Sequence, residues 1–487
     1  MAWRFSKPAT SSSAIASLPG SADSSTAGAA GSRFVQRDFY LEHPDVSALT
    51  PEEVQQLRQQ LGITVHGEES LCPSPVGSFV QASFPQYILD ALRKVGFSAP
   101  TPIQRQGWPV AMKGIDLVGL AETGSGKTLA YLLPAIVHVN AQPVLVDGEG
   151  PLALVLAPTR ELAEQIHEEV VRFGQPCGVK SCCVYGGVSK AGQVQVLRKA
   201  PEVVVATPGR LVDMLQHKKT ELGKCTFFVL DEADRMLDMG FEQQLAAILA
   251  HMRADRQTLM FSATWPAEVQ ALASKVRAGG ATSGGGGGAP PTVIVEVGGA
   301  LLEGGKANES ITQRVLRCEE AQKLPRLIEL LEETMDGSRI LVFASSKRRC
   351  DMLTKELRVD GWPALTLHGD KSQEERDWVL QQFKDGEQPL LIATDVAQRG
   401  LDIKGVVCVI NYDCPNTGEG YVHRIGRTGR AGNSGTAYTF VAAEDRRVAP
   451  DLVRVLKGSG QTVPAELAQL AQEARAEAKY RPGARYQ

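Results

Sequence analysis

The chain has 487 residues, 43% of them hydrophobic, enough for two to four packed domains. No apolar run approaches the roughly 18 residues of a membrane-spanning helix, so the chain reads as soluble. A net charge of −3 and a pI near 6.3 exclude bulk electrostatic attraction as the means of holding a nucleic acid. Any such contact has to be local, through backbone amides and a few arginines. Nine cysteines include no Cys-x-x-Cys pair, and Cys182-Cys183 has no histidine at metal spacing. They read as reduced thiols in a reducing compartment.

Residues 1–33 are rich in Ser, Ala, Gly and Thr and read as a disordered arm. Arg4 and Lys7 precede the first acid, Asp23, a pattern shared with organelle transit peptides, although no basic amphipathic helix is evident. In residues 34–78, Thr50-Pro51-Glu52-Glu53 places a capping residue before a proline. That predicts a helix to about Leu61, in an extension packed on the first domain.

Residues 79–297 alternate strands and helices, with strands expected at 116–120, 152–156, 180–184, 203–206, 227–230 and 258–261. Alternation of this kind means an α/β domain, a parallel sheet covered by helices on both faces. A glycine-rich tract at 279–291 interrupts the pattern and a strand resumes at 292–297, so the tract reads as a flexible insertion. Residues 298–312 read as an interdomain linker. Residues 313–460 repeat the alternation, with strands at 339–343, 364–367, 389–393, 406–411 and 435–440. Residues 461–487 read as a terminal helix and a frayed end.

The chain is organised around Ala121-Glu122-Thr123-Gly124-Ser125-Gly126-Lys127-Thr128, between the 116–120 strand and a helix opening near Leu129. A glycine-rich turn in that setting points backbone N–H groups inward and adds the positive end of a helix. It is a phosphate cradle. Lys127 would reach the β- and γ-phosphates and the Thr128 hydroxyl would ligate Mg²⁺. The generic pattern begins with Gly, and Ala121 stands in that place. Only one of the two α/β domains holds such a cradle, which implies a nucleotide in the cleft between them.

About a hundred residues later, Phe227-Phe228-Val229-Leu230 runs into Asp231-Glu232-Ala233-Asp234. At the carboxyl edge of a sheet both leading carboxylates can reach the cleft. Phosphoryl transfer to water needs one carboxylate for the metal shell and one group to orient the water. Asp231 fits the first role and Glu232 the second. An isolated acidic pair at a strand end is commonly a solvated loop feature; the upstream P-loop reverses that reading.

Asp-Glu-Ala-Asp after such a P-loop resembles the DEAD-box family of ATP-dependent RNA helicases, over about residues 34–460. The family's P-loop begins with Ala, so Ala121 ceases to be a departure. The resemblance implies two RecA-like parallel-sheet domains in tandem, with ATP, Mg²⁺ and RNA bound across the interdomain cleft. Gly96-Phe97-Ser98-Ala99-Pro100-Thr101-Pro102-Ile103-Gln104 resembles the adenine-reading motif, with Gln104 pairing to the base and Phe79 stacking on it. Ser262-Ala263-Thr264 resembles the motif that couples hydrolysis to strand separation, through Asp231 or Asp234. In His423-Arg424-Ile425-Gly426-Arg427-Thr428-Gly429-Arg430, the resemblance gives Arg427 and Arg430 the γ-phosphate and links His423 to the coupling motif. Ala393-Thr394-Asp395-Val396-Ala397-Gln398-Arg399-Gly400-Leu401-Asp402 also matches: Asp402 would accept from a ribose hydroxyl, and Thr394 and Arg399 would face RNA or bridge the domains.

By the same resemblance, RNA contacts fall on Pro158, Thr159 and Arg160, on Gly186 and Gly187, and on Thr207, Pro208, Gly209 and Arg210. In the second domain they fall on Phe343, Gln373 and Arg376. Threonines, glycines and arginines at loop-to-helix junctions position phosphates without reading bases, so binding is expected to tolerate sequence, and 2′-hydroxyl contacts would select RNA. Residues 34–46, with Phe39-Tyr40-Leu41-Glu42-His43-Pro44, resemble the N-terminal extension of a nuclear and cytoplasmic subfamily, as do residues 368–383, with an organelle as the alternative if residues 1–33 act as a transit peptide. The glycine tract and Gly420, where an acid is common, depart from the pattern. The expected activity is RNA-stimulated ATP hydrolysis coupled to local duplex unwinding or ribonucleoprotein remodelling, by a monomeric core. An ATP-gated RNA clamp and a DNA-directed translocase are the rival readings.

Overall fold

A computed structural model describes residues 35–122, 124–277, 292–299, 308, 310–395, 405–429 and 433–480. The expectations placed on residues 1–33, on the glycine tract, and on Thr123, Arg399, Asp402 and Arg430 lie outside the described residues.

Two sheets organise the chain. The first holds β1 (Ile63–Gly67), β2 (Asp116–Leu120), β3 (Ala153–Leu156), β4 (Ser181–Val184), β5 (Val203–Ala206), β6 (Phe227–Leu230), β7 (Gln257–Ser262) and β8 (Thr292–Val297), in the order β1-β8-β2-β7-β6-β3-β5-β4. Every pairing is parallel except β1 with β8. The second holds β9 (Ile311–Arg317), β10 (Arg339–Phe343), β11 (Ala364–Leu367), β12 (Leu390–Ala393), β13 (Val406–Asn411) and β14 (Gly435–Val441). Its order is β11-β12-β10-β13-β14-β9, parallel throughout. These are two RecA-like parallel-sheet domains.

Strand alternation feeds two cores from each sheet. In β3 and β6, Ala153, Val155, Phe227 and Val229 enter one core while Leu154, Leu156, Phe228 and Leu230 enter the other. A strand buried on both faces reads as a continuous apolar run, which is why these segments stand out in the sequence. Each buried Val, Leu or Phe contributes about 1.5–3 kcal/mol relative to exposure.

Two strands escaped the sequence. β1 comes from the stretch read as an extension, and His66 on it faces the Glu296 carboxylate of β8 at 2.8 Å. β9 begins at Ile311, inside the stretch read as linker, and its alternating burial, with Thr312, Arg314 and Arg317 outward and the polar Gln313 inward, hides it from an apolar-run search.

The helices that matter for the site are α1 (Pro51–Gln60), α2 (Pro102–Met112), α3 (Lys127–Ala141), α4 (Arg160–Gly174), α5 (Lys190–Leu197), α6 (Pro208–Gln216), α7 (Ala233–Asp238), α8 (Gln373–Asp385) and α9 (Gly418–Ile425). Helix α1 has the expected Thr50 cap, with Glu53 returning a bond to the Thr50 N–H at 2.8 Å. The terminal helix is Ala465–Tyr480.

Candidate active site and RNA face

A cleft of about 740 Å³ is lined from the first domain by Phe79, Phe97, Thr101, Gln104, Gly124, Gly126, Lys127, Thr128, Asp231 and Glu232. Arg339, Lys384 and Arg427 line it from the second. Strand β2 ends at Leu120 and α3 starts at Lys127, so the P-loop spans the carboxyl edge of the sheet. Gly124 and Gly126 take φ of +82° and +89°, left-handed values that glycine adopts without steric cost. A Cβ on Gly126 would sit 2.6 Å from Gln104 Nε2 and 2.9 Å from Thr101 Oγ1. The loop is therefore a concave turn that tolerates no side chain there.

Lys127 is buried, and its ammonium donates to the carbonyls of Ala121 at 2.5 Å and Glu122 at 3.0 Å. Burial lowers its pKa, against the raising influence of Asp231, Asp234 and Glu232. Glu122 and Ser125 belong to the same turn, the Ser125 hydroxyl donating to the Glu122 carbonyl at 2.7 Å.

Asp231 closes β6 and is nearly buried. Its Oδ2 accepts from the Tyr131 hydroxyl at 2.9 Å and its Oδ1 from the Glu232 N–H at 2.9 Å. Burial, then the Glu232 charge, push its pKa up to about 6, with Lys127 opposing. Glu232 takes φ 48° and ψ 55°, a left-handed backbone that costs a residue with a Cβ about 1–2 kcal/mol. This bend turns the chain from β6 into α7. Glu232 Oε2 is buried without a hydrogen bond, 3.3 Å from Arg235 Nη1, and Thr101 Oγ1 is likewise buried and unbonded.

These features fit a magnesium-bound nucleotide. A glycine-only concavity, a buried ammonium at its base, a hydroxyl at Thr128 and a carboxylate at Asp231 supply the required donor set.

Asp234 ties this region to the coupling motif. Its Oδ2 accepts from the N–H groups of Ala263 and Thr264 at 3.2 and 3.1 Å and from the Thr264 hydroxyl at 3.0 Å. Its own N–H donates to the Ser262 hydroxyl at 3.3 Å. From the second domain, His423 Nε2 lies 3.5 Å from the same Oδ2. Burial works to raise Asp234, but His423, Arg235 and Lys127 outweigh it and hold the carboxyl well below its usual range. Burial, then the charge of Arg235, lower the pKa of His423, with Asp234 opposing.

The sequence reading overlooked two residues here. Tyr131 sits one helical turn after Lys127 and Thr128, a spacing that brings it to their face. Arg235, buried, follows the acidic motif directly and reaches both Glu232 and His423. A buried arginine resembles a surface one in sequence.

Gln104 is bonded within the protein. Its Oε1 accepts from the Thr101 N–H at 3.0 Å and its Nε2 donates to the Gly126 carbonyl at 3.0 Å. The amide fastens the start of α2 to the P-loop, so pairing to a base exchanges these two bonds. Phe79 is half-buried against Trp108, ring centroids 5.9 Å apart, and Phe97 is exposed at the cleft.

The RNA expectations divide. Gly186, Gly187 and Gly209 are exposed, and Thr207 is half-buried ahead of Pro208 at the start of α6. Pro158 and Thr159 are buried, with the Thr159 hydroxyl capping α4 through the Leu162 N–H at 3.3 Å. Arg160 stacks on Tyr185, 4.6 Å from the ring centre, and approaches Asp377 of the second domain at 3.6 Å. Arg376 pairs with Glu161 across the domains, and Gln373 donates to Asp377 at 2.6 Å. Thr394 is nearly buried beyond β12.

Two of the expected RNA residues are engaged inside the fold. Phe343 is fully buried on β10 beneath the Arg424 guanidinium, 5.2 Å from the ring centre, so its ring does not reach RNA. Arg210 turns inward and bonds Gln193 at 3.1 Å and the Val188 carbonyl at 3.0 Å. It braces the Gly186-Gly187 loop.

Arg427 is buried, with Nε donating to the His423 carbonyl at 3.2 Å. Arg424 pairs bidentately with Asp395 at 2.6 Å. Gly420 leaves α9 without an acid at its third position; the Thr417 hydroxyl alone caps it, at 3.0 Å.

The DEAD/DEAH box helicase model matches residues 101–272, and the helicase conserved C-terminal domain model matches residues 322–432. The chain is 54% identical to DEAD-box ATP-dependent RNA helicase 20 of Arabidopsis thaliana, over 89% of this chain and 83% of that protein. It is 51% identical to ATP-dependent RNA helicase DBP2 of Chaetomium thermophilum, over 90% of this chain and 76% of that protein. Among solved structures it is similar to S. cerevisiae Dbp5 bound to RNA and ADP BeF3, with a TM-score of 0.68 and 29% identity over 83% of this chain and 99% of that one. Identity at this level across both RecA-like domains places the chain in the DEAD-box family of ATP-dependent RNA helicases.

Proposed function

We propose that ATP and RNA together draw the two domains onto one composite site, and that hydrolysis releases it. The protein is an ATP-dependent RNA helicase whose ATP hydrolysis is stimulated by RNA. Lys127 and the P-loop N–H groups hold the β- and γ-phosphates. Thr128 and Asp231 would hold Mg²⁺, which neutralises phosphate charge when bound. Glu232 orients the attacking water and takes its proton. Arg427 and Arg430 stabilise charge on the transferred phosphoryl group, an effect of order 10³–10⁵ in rate.

RNA phosphates settle on Gly186, Gly187, Thr207 and Gly209 and on Arg160, Gln373 and Arg376, with little preference for sequence. Closure strains one strand and expels its complement. The ATP-binding domain read at 79–297 gains β1, and the second domain read at 313–460 begins with β9 at Ile311, which shortens the link between them to 298–310. The protein works as a monomer on ribonucleoprotein in the nucleus or cytoplasm. Among the described residues no helix is long and apolar enough to cross a membrane.

The observation that supports this reading best is the buried contact of Asp234 and Arg235 with His423, which joins the nucleotide carboxylates of one domain to the arginine motif of the other. The test is ATP turnover with and without single-stranded RNA. RNA raises the rate if the site is composite; equal rates refute it.

A further inference from the structure

A charge asymmetry outside the nucleotide cleft lies on the first domain. Residues 188–220 carry six lysines and arginines against two carboxylates, in a chain of net charge −3. Between α5 and α6 runs a groove of about 340 Å³, lined by Lys190, Arg198, Asp213, Met214, His217 and Lys219. Each helix leaves the carboxyl edge of a parallel strand and returns alongside its neighbour. Helix α5 begins just after Gly186-Gly187, with Ser189 as its cap, and α6 begins at Pro208. The groove therefore opens at the two loops given to RNA phosphates. At nine residues, α6 carries it on for about 13 Å, room for about two or three phosphates.

The charges inside it are arranged for an anion. Its one carboxylate, Asp213, is engaged by Lys190 at 2.7 Å and lies 3.3 Å from His217 Nδ1. Arg198 and Lys219 are exposed, and no carboxylate among the described residues pairs with either. Met214 is buried at the floor, so the walls are ionic and the base is apolar.

We propose that this groove binds the phosphates of the RNA strand where it runs on beyond Gly186-Gly187 and Thr207–Gly209. The inference rests on the RNA face described above and extends it. The groove lengthens the footprint of the first domain. Being electrostatic, it reads no sequence and weakens with salt. Cations at helix C-termini also complement the helix dipole, which accounts for a contribution to stability and not for one to RNA binding.

The test compares the full-length protein with an R198E/K219E double variant, with a non-hydrolysable ATP analogue present. Probes are single-stranded RNAs of about 10 nucleotides, filling the core path, and about 25 nucleotides, reaching the groove. The variant is expected to bind the long strand about tenfold more weakly and the short one within about twofold, with the salt slope for the long strand reduced by about 1.4. Equal losses at both lengths, or none at either, overturn the proposal, as does a loss confined to melting temperature. If the wild-type protein binds neither length in an analogue-dependent way, the RNA reading itself fails, which is a separable result.

Discussion

Arg235 of the first domain donates through Nη2 to Nδ1 of His423 in the second, at 3.3 Å. An arginine can only donate, so Nδ1 is the acceptor and Nε2 carries the proton. That proton faces Asp234 at 3.5 Å. A neutral imidazole is thus held between a cation and an anion of the other domain, with its tautomer set. It can follow the state of the nucleotide carboxylates without carrying charge.

Replacing His423 by Ala removes this link and leaves the P-loop intact. Coupling between sites is typically worth about 1–3 kcal/mol, so stimulation of ATP turnover by RNA should fall by about 5–150-fold. Binding of a fluorescent ATP analogue to the variant without RNA should stay close to wild type. A normal ratio of stimulated to basal turnover would contradict the assignment.

Glu232→Gln keeps the shape of the site and removes the base. Turnover should fall by about 10²–10⁴-fold, while ATP-dependent retention of RNA persists. A pulldown on immobilised RNA with and without ATP reports the second part. A variant that hydrolyses ATP normally would move the base elsewhere.

Tyr131 holds Asp231 Oδ2 at 2.9 Å from a fully buried position. Tyr131→Phe preserves the packing against Phe261 and deletes one bond to a carboxylate. Such bonds are worth about 1.5–3 kcal/mol, so the Mg²⁺-dependent gain in ADP affinity should shrink by about tenfold or more. Titrating Mg²⁺ against labelled ADP measures it, and metal-free ADP binding serves as the control.

Phe343→Leu should cost about 1–2 kcal/mol of stability, by opening space under Arg424 and losing its contact with the ring. RNA affinity with an ATP analogue should change by less than about twofold. Urea unfolding and fluorescence anisotropy separate the two effects. A large loss of RNA affinity without loss of stability would restore the ring to the RNA face.

His138 supplies a pH dependence. It is buried, with Nε2 2.8 Å from the Thr226 hydroxyl and Nδ1 without a hydrogen bond. Burial, then the charge of Arg37, lower its pKa to about 3. The unfolded chain takes up this proton below about pH 6.5 and the folded chain does not, so stability falls as pH drops from there toward 3. At pH 5 this costs about 2 kcal/mol. The advantage of wild type over His138→Gln, read from urea midpoints, should shrink by about that amount between pH 7 and 5.

The sequence by itself determined most of the strands and pointed to the nucleotide motifs. Strands such as 227–230 are apolar at every position because both faces are covered, and that pattern is local. The P-loop and the acidic motif are legible for a similar reason: their chemistry needs particular residue types at fixed short spacing. Edge strands β1 and β9 are half-polar, and their pairing depends on partners far away in the chain, so neither shows as an apolar run. Only the tertiary structure could bury Arg235 beside His423, bring Tyr131 to Asp231, turn Arg210 inward and cover Phe343 with Arg424. Each of these depends on a side chain's direction and on a neighbour from another element, and the order of residues along the chain encodes neither locally.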